Sequence, residues 1–246
     1  MRVLVHGITG HMGQIIASLA ESGFAGATLA GGVSPDVQVE ENNNFKSFAS
    51  CNVEADVVVD FSFHGAVKNL LDYCISKNLP VVVATTGHTA DEKKLIENAA
   101  KQIPVFFSAN MSIGVAVLAD LAKNAAAAFP NADIEIVETH HNRKIDVPSG
   151  TALLLANSIK EARPESVYNI GRPDNGKRTK EEIGIHSLRM GNIVGIHEIL
   201  ISTGTETITL KHEAHSRALF GEGAVRAAAF LMGKKPGLYN MKDMIR

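Results

Sequence analysis

Apolar residues in the first hundred positions fall into short unbroken runs separated by stretches with helical spacing. Val3, Leu4 and Val5 make one run, residues 27–33 a second, and 55–61 (ADVVVDF), 80–84 and 105–108 three more. Unbroken apolar text of this length suits strands buried on both faces. Between the runs, 11–21 places Ile15, Ile16, Leu19 and Ala20 at helical spacing, and 66–77 and 90–101 read as further helices. Strands alternating with helices of about a dozen residues predict βαβ crossovers and a parallel sheet.

The pattern changes after residue 112. An Ala-rich helix over 114–128 is followed by a strand over 133–138, then by strand-like segments at 184–189, 193–201 and 206–213. The last three read as consecutive strands joined by turns at Gly191–Asn192 and Thr203–Gly204–Thr205, which predicts an open, largely antiparallel sheet. A final helix over 221–232 is placed to pack back on the first domain. The Gly-, Pro-, Lys- and Arg-containing stretch 164–182 reads as a mobile surface loop. No internal repeat or low-complexity linker interrupts the chain.

Composition narrows the classes. The chain has 246 residues, 45% hydrophobic and 20% charged, which is globular and long enough for two domains. A formal charge of -2 and a pI near 6.6 give no basic footprint for nucleic acid, and 5% aromatics with no Trp give no base-stacking platform. No apolar stretch reaches membrane-spanning length, and MRVLVHGITG lacks the form of a signal peptide. Cys51 and Cys74 stand apart without metal-ligand spacing and read as reduced thiols. The expectation is a cytoplasmic protein with no nucleic-acid, membrane or metal partner.

Two kinds of motif carry candidate chemistry. VHGITGHMGQ puts Gly7, Gly10 and Gly13 where the first strand meets the first helix. Glycines there allow a sharp turn and close backbone approach to a pyrophosphate, which the helix start then receives. Gly13, one turn in, would allow close helix–strand packing. The spacing is GxxGxxG, and the competing reading is a tight turn with no ligand. At the expected ribose position, after the second strand, stands Ser34, with Asp36 two residues later and no adjacent arginine. Ala84-Thr85-Thr86-Gly87 and Ser108-Ala109-Asn110-Met111 end two further strands and could lie along a nicotinamide, or could be ordinary helix caps.

The second motif is ETHHNRKIDVPSGT, residues 138–151. Pro148 suits the approach to a helix over 152–159, Ser149 suits its N-cap, and the Gly150 and Thr151 N–H groups with the Thr151 hydroxyl would point at an anion such as a carboxylate. Once a cofactor provides hydride, reduction of a conjugated imine needs a neutralising cation or acid. Lys144 can polarise the imine or donate a proton, His140 can donate or accept one, and His141 is better cast as a carboxylate binder. Zinc ligation competes poorly, because adjacent side chains on extended backbone point to opposite faces. A solvated polar loop and an anion site without chemistry remain as alternatives.

In their order, VHGITGHMG, ATTG, SANMSIGV, ETHHNRKIDVPSGTA, GIHSLRMGNIVGIHE and HSRALFGEGAVRAA resemble the 4-hydroxy-tetrahydrodipicolinate reductases, from residue 3 to about residue 245. The resemblance implies an α/β fold: an N-terminal Rossmann-like parallel-sheet domain over 1–111, rejoined by 217–246, and an α+β substrate-binding and tetramerisation domain over 112–216 with an open mixed sheet. It implies a homotetramer, domain closure over substrate, and NADH- or NADPH-dependent reduction with loss of water in lysine biosynthesis through diaminopimelate. By resemblance His140 and Lys144 are catalytic, and His141, Ser149, Gly150 and Thr151 bind substrate. Gly7, Ile8, Thr9, Gly10, His11, Met12, Ser34, Ala84, Thr85, Thr86, Ser108, Ala109, Asn110 and Met111 contact the cofactor. Four positions depart from common family text: Ala84 for glycine, Met111 for Phe, Val147 for alanine, and Ser34 for an acidic ribose binder. Arg217 matches a family arginine whose role stays open between substrate contact and structural salt bridge. A dehydrogenase of an amino-acid semialdehyde would call for a cysteine in the second domain, and a nucleotide sensor would bind cofactor without turnover.

Overall fold

The computed structural model describes residues 1–245. Its first unit, Met1–Ser112, begins with β1 (Arg2–His6), α1 (His11–Glu21), β2 (Thr28–Val33), β3 (Asn44–Phe45), β4 (Val57–Asp60), α2 (Val67–Ser76), β5 (Val81–Val83), α3 (Ala90–Ala99) and β6 (Pro104–Phe107). The second unit, Ile113–Arg217, holds α4 (Ile113–Ala128), β7 (Asp133–His140), α5 (Gly150–Ala162), β8 (Val167–Ile170), β9 (Glu182–Arg189), β10 (Gly195–Ser202) and β11 (Thr207–Ala214). From Ala218 the chain belongs to the first unit again, adding α6 (Ala218–Leu231), β12 (Gly237–Tyr239) and α7 (Met241–Met244).

The first unit is a seven-stranded parallel sheet in the order β12-β6-β5-β4-β1-β2-β3. The unbroken apolar runs are explained by helices on both faces. Val57, Val58 and Val59, Val81 to Val83, and Val3 to Val5 are wholly buried. Leu70, Leu71 and Cys74 of α2 and Ile96 and Ala99 of α3 close one face. On the other, α6 crosses α1 at Gly221, where a Cβ would come within 2.7 Å of the Ile15 side chain. The strand order reverses between β1 and β4, and open sheets of this kind take ligands at the carboxyl ends of the strands there.

The second unit is a five-stranded mixed sheet in the order β11-β10-β7-β9-β8. Strict alternation puts Ile134 and Ile136 of β7, Ile183 and Ile185 of β9, and Ile199 and Ile201 of β10 on one face. There they pack on Leu118, Ala122 and Ala126 of α4 and on Leu155, Ala156 and Ile159 of α5.

Two expectations need correcting. The segments 184–189 and 193–201 are consecutive in sequence but do not pair, because β7 lies between them, parallel to β9 and antiparallel to β10. The sheet is therefore half parallel. A strand with every second residue apolar and its neighbours polar can accept partners on both edges, so sequence adjacency did not decide the order. The stretch 164–182, expected to be a mobile loop, instead contains β8, which pairs with the outer edge of β9. It is further held by Arg178, whose guanidinium reaches Asp133 at 2.8 Å and Glu135 at 2.6 Å, and by Arg172, which pairs with Glu135 and Glu182. Four residues with exposed ends leave too short a pattern to read as a strand, while the unpaired edge of β9 supplies the reason for one.

Candidate active site

The first unit presents a cradle at its strand-order reversal. The chain turns at Gly7 with φ +87°. A Cβ at Gly7 would lie 2.4 Å from the Phe61 carbonyl oxygen, and one at Gly13 would lie 2.1 Å from the Gly7 oxygen. Glycine alone permits this approach, and it sets the start of α1 against the end of β1. Gly10 caps α1 without any side-chain hydrogen bond, and no acidic residue occupies the first turn. Unsatisfied N–H groups and the positive end of the helix dipole are thus left for an anion. These residues fit the pyrophosphate of a dinucleotide.

Around that cradle Gly10, Thr9 and His11 are exposed, Met12 is half-buried, and Ile8 packs over Gly32. Ser34 is buried, and its hydroxyl lies 2.7 Å from that of Thr9, a neutral pair at the end of β2. Ala84 and Thr85 are buried and Thr86 is exposed. The capping reading of these threonines does not hold, because Thr89 caps α3, accepting from the Glu92 N–H in a reciprocal capping box. The Thr85 hydroxyl instead accepts the Ser62 N–H at 2.8 Å. Ser108 and Asn110 form a local turn in which the Ser108 hydroxyl donates to the Asn110 carbonyl at 2.7 Å, with Ala109 exposed. The Met111 side chain is buried, and its carbonyl lies where a Cβ on Gly223 would stand 1.7 Å away. Sequence reasoning missed a buried group at the same strand ends: His6 Nδ1 lies 2.7 Å from Asp60, and the Ser62 hydroxyl donates to that carboxylate at 2.6 Å.

The second unit concentrates its polar chemistry at the end of β7. Alternation along Ile134, Ile136, Glu138 and His140 sends the last two onto the helix-covered face, where α5 begins. Glu138 is fully buried. One of its oxygens lies 2.5 Å from His140 Nδ1 and accepts from Arg189 at 2.9 Å; the other accepts from Arg189 at 2.8 Å and from the Ser149 N–H at 3.1 Å. Burial alone would raise this carboxyl, but the bonds from His140 and Arg189 outweigh it and hold it well below the usual carboxylate range.

Ser149 caps α5, its hydroxyl accepting the Ala152 N–H at 3.2 Å. The same hydroxyl lies 3.2 Å from His197 Nε2, and the His197 ring stands edge-on to His140 with centroids 5.1 Å apart. Burial first, and the His140 charge second, push His197 down to about 3. Gly150 faces open space, whereas Thr151 is half-buried. The Lys144 ammonium pairs with Asp146 at 2.8 Å, and the Gly150 N–H also turns to the Asp146 carboxylate. The turn is held by the His141 N–H, which donates to the Ile193 carbonyl at 2.8 Å, and by the Lys144 N–H, which donates to the His141 carbonyl. His141 Nδ1 is buried without a partner, and its ring is pushed toward the neutral form by burial and then by Arg143 and Arg217.

The structure thus joins His140 and Ser149 through one carboxylate and sets His141, Lys144 and Gly150 on the adjoining turn. Glu138, Arg189 and His197 were not singled out in the sequence. The period-two alternation of β7 marks Glu138 as buried, but Arg189 and His197 become its neighbours only through the register, which places Arg189 opposite His140 and His197 opposite Glu138. Among the described residues no group of His, Cys, Asp and Glu could hold a metal ion. Both cysteines lie in the first unit, buried, and burial pushes the Cys74 thiol far above its ordinary value.

Two family models match the chain: dihydrodipicolinate reductase, N-terminus, over residues 1–111, and dihydrodipicolinate reductase, C-terminus, over residues 114–245. The 4-hydroxy-tetrahydrodipicolinate reductase of Caldanaerobacter subterraneus subsp. tengcongensis is 44% identical over 248 residues, covering 100% of this chain and 98% of the relative. That of Clostridium tetani is 45% identical over 250 residues, covering 100% and 97%. Among solved structures, a dipicolinate-bound dihydrodipicolinate reductase from Paenisporosarcina sp. TG-14 superposes with a TM-score of 0.81 at 25% identity, covering 99% of this chain and 98% of that one.

Proposed function

This chain belongs to the dihydrodipicolinate reductase family, and on that premise we propose that it reduces 4-hydroxy-tetrahydrodipicolinate to tetrahydrodipicolinate with loss of water, a step of lysine biosynthesis through diaminopimelate. It is an oxidoreductase with a nicotinamide cofactor, which supplies hydride when bound.

The observation that carries the reading is the cluster at the start of α5: an imidazole fixed by a buried carboxylate, a lysine on the next turn, and helix N–H groups beside open space at Gly150. Each group has a task in imine reduction. Gly150 and Thr151, at the positive end of α5, take a substrate carboxylate in place of the Asp146 carboxylate that the Gly150 N–H faces, and the His141 ring binds a second. Lys144 donates the proton that neutralises the reduced imine, leaving Asp146 to do so. His140 donates or accepts a proton at Nε2. Ser149 supports these groups by capping the helix.

In the first unit, Gly7 to Met12 cradle the pyrophosphate, Ser34 with Thr9 meets the adenine-side ribose, and Ala84 to Thr86 with Ser108 to Met111 line the nicotinamide. The hydroxyl pair at Ser34 offers neither a carboxylate that would repel a 2′-phosphate nor an arginine that would clamp it. Both NADH and NADPH therefore serve. The sheet face opposite the helices, which carries Val137, Ile196 and Leu200, supports assembly as a homotetramer. The working compartment is the cytoplasm, as befits a biosynthetic enzyme with no helix among the described residues long and apolar enough to cross a membrane.

The test is a coupled assay that generates substrate from pyruvate and aspartate semialdehyde and follows NAD(P)H absorbance. Oxidation dependent on both substrate and enzyme is expected with either cofactor. No oxidation above background overturns the reading.

A further inference from the structure

We infer that Glu138 is the positioning residue of this site: through His140 Nδ1 it selects the imidazole tautomer that leaves Nε2 as the proton-exchanging atom, and through the Ser149 N–H it locks that imidazole to the start of α5. The chemistry rests on the reductase reading; the placement of the proton does not.

An ionised carboxylate only accepts hydrogen bonds. With Glu138 Oε2 2.5 Å from His140 Nδ1, the hydrogen must sit on Nδ1, and in the neutral ring the lone pair is then on Nε2. The glutamate cannot turn to release it. Its oxygens already take two bonds each, from His140 and Arg189 on one side and from Arg189 and the Ser149 N–H on the other. Arg189 is itself fixed, donating at 2.7 Å to the Asp146 carbonyl and at 2.7 Å to the Leu188 carbonyl. One buried carboxylate therefore holds in register the imidazole, the anion-binding helix start and, through Arg189, the turn that carries Lys144 and Asp146.

The far side of His140 is kept clear. Gly195 lies across from it on β10, and a Cβ there would come within 3.1 Å of His140 Nε2. The charged and titratable groups around the ring are Glu138 on β7, Arg189 on β9, His197 on β10 and, on the following turn, His141 and Lys144. His197 does not compete for the Glu138 charge. His197 Nε2 lies 3.2 Å from the Ser149 hydroxyl, which also accepts the Ala152 N–H, and burial keeps that ring neutral behind His140.

The experiment is long-range ¹H–¹⁵N correlation on histidine-labelled full-length protein, free of ligands, at mildly alkaline pH, with the His140 signals assigned by their loss in His140→Gln. The wild type is expected to show His140 protonated at Nδ1 and bare at Nε2. In Glu138→Gln, Arg189 retains the amide oxygen, and the amide NH₂ turned toward Nδ1 moves the ring hydrogen to Nε2. A kcat loss of roughly 10²- to 10⁴-fold is expected there, the usual worth of a placed acid–base group, with KM and cofactor Kd within about threefold of wild type. A wild-type His140 carrying its hydrogen on Nε2 overturns the inference even if the variant does not fold. So does a folded Glu138→Gln that keeps kcat within threefold, or one whose cofactor affinity falls as far as its kcat. Absence of turnover in the wild type would instead remove the reductase reading and leave the tautomer measurement to decide this one.

Discussion

At the scale of single residues, neighbours in sequence do different work because their surroundings differ. His140 ends a strand and points into the helix-covered face, where Glu138 holds it. His141 leaves the strand, and its ring lies in the positive field of Arg143, Arg217, His140 and Lys144, which suits the carboxylate role proposed for it. Lys144→Ala is expected to lower kcat by about 10²- to 10⁴-fold, the usual worth of a placed proton donor, while isothermal titration finds cofactor affinity unchanged. His141→Ala should act mainly through KM, raised by about tenfold or more in steady-state assays, the signature of lost ground-state binding. His197 makes a separate prediction about stability. Its folded pKa, about 3, lies below its ordinary value of 6.5, so its contribution is complete above that ordinary value and is lost as pH falls toward the folded one. Urea unfolding at pH 7 and pH 5 should show wild type losing on the order of 2 kcal/mol more than His197→Asn over that interval.

At the scale of elements, the two helix starts proposed as anion sites are built differently. The start of α1 depends on glycines with no room for a Cβ, whereas Gly150 at the start of α5 faces open space. Gly13→Ala should therefore displace α1 from the Gly7 turn and weaken cofactor binding by about tenfold or more, as a close helix–strand contact is lost. Gly150→Ala should leave the melting temperature within about 2 °C of wild type, since no atom lies in the way and helix propensity favours alanine. A matched loss of stability in both variants would show that backbone crowding does not separate the two sites. The start of α5 is also anchored from below. Leu155 and Ile159 are wholly buried against β7, β9 and β10, and Leu155→Ala should cost about 2–5 kcal/mol in denaturant unfolding.

At the scale of the whole molecule, the chain is divided into a parallel-sheet unit closed by its own C-terminal segment and a mixed-sheet unit inserted before it. The insertion explains why substitutions at His141 or Lys144 should leave the dinucleotide cradle intact: the two sets of residues are built on separate sheets. The second sheet has two unlike faces. Helices α4 and α5 cover one side, and the other carries Leu200 and Val137 among charged residues. Light scattering should report a tetramer, and Leu200→Lys should shift it toward smaller species, because a buried unpaired ammonium at an interface costs several kcal/mol.

Much of this was legible in the sequence. Unbroken apolar runs at β1, β4 and β5 read as strands covered on both sides, and three glycines after β1 left few alternatives to a tight turn into a helix. HHNRKIDVPSGT could be singled out because its groups are contiguous, while the tasks proposed for them came through the family resemblance. Glu138, only two residues before His140, was passed over because its importance comes from partners about fifty residues away. Arg189 and His197 reach it through strand pairing, and β8 exists because β9 had an edge to fill. Local chemistry follows from periodicity and spacing, which the chain carries in itself. Which strands lie side by side, and hence which buried charges meet, is decided by long-range pairing energy that no short window of residues contains.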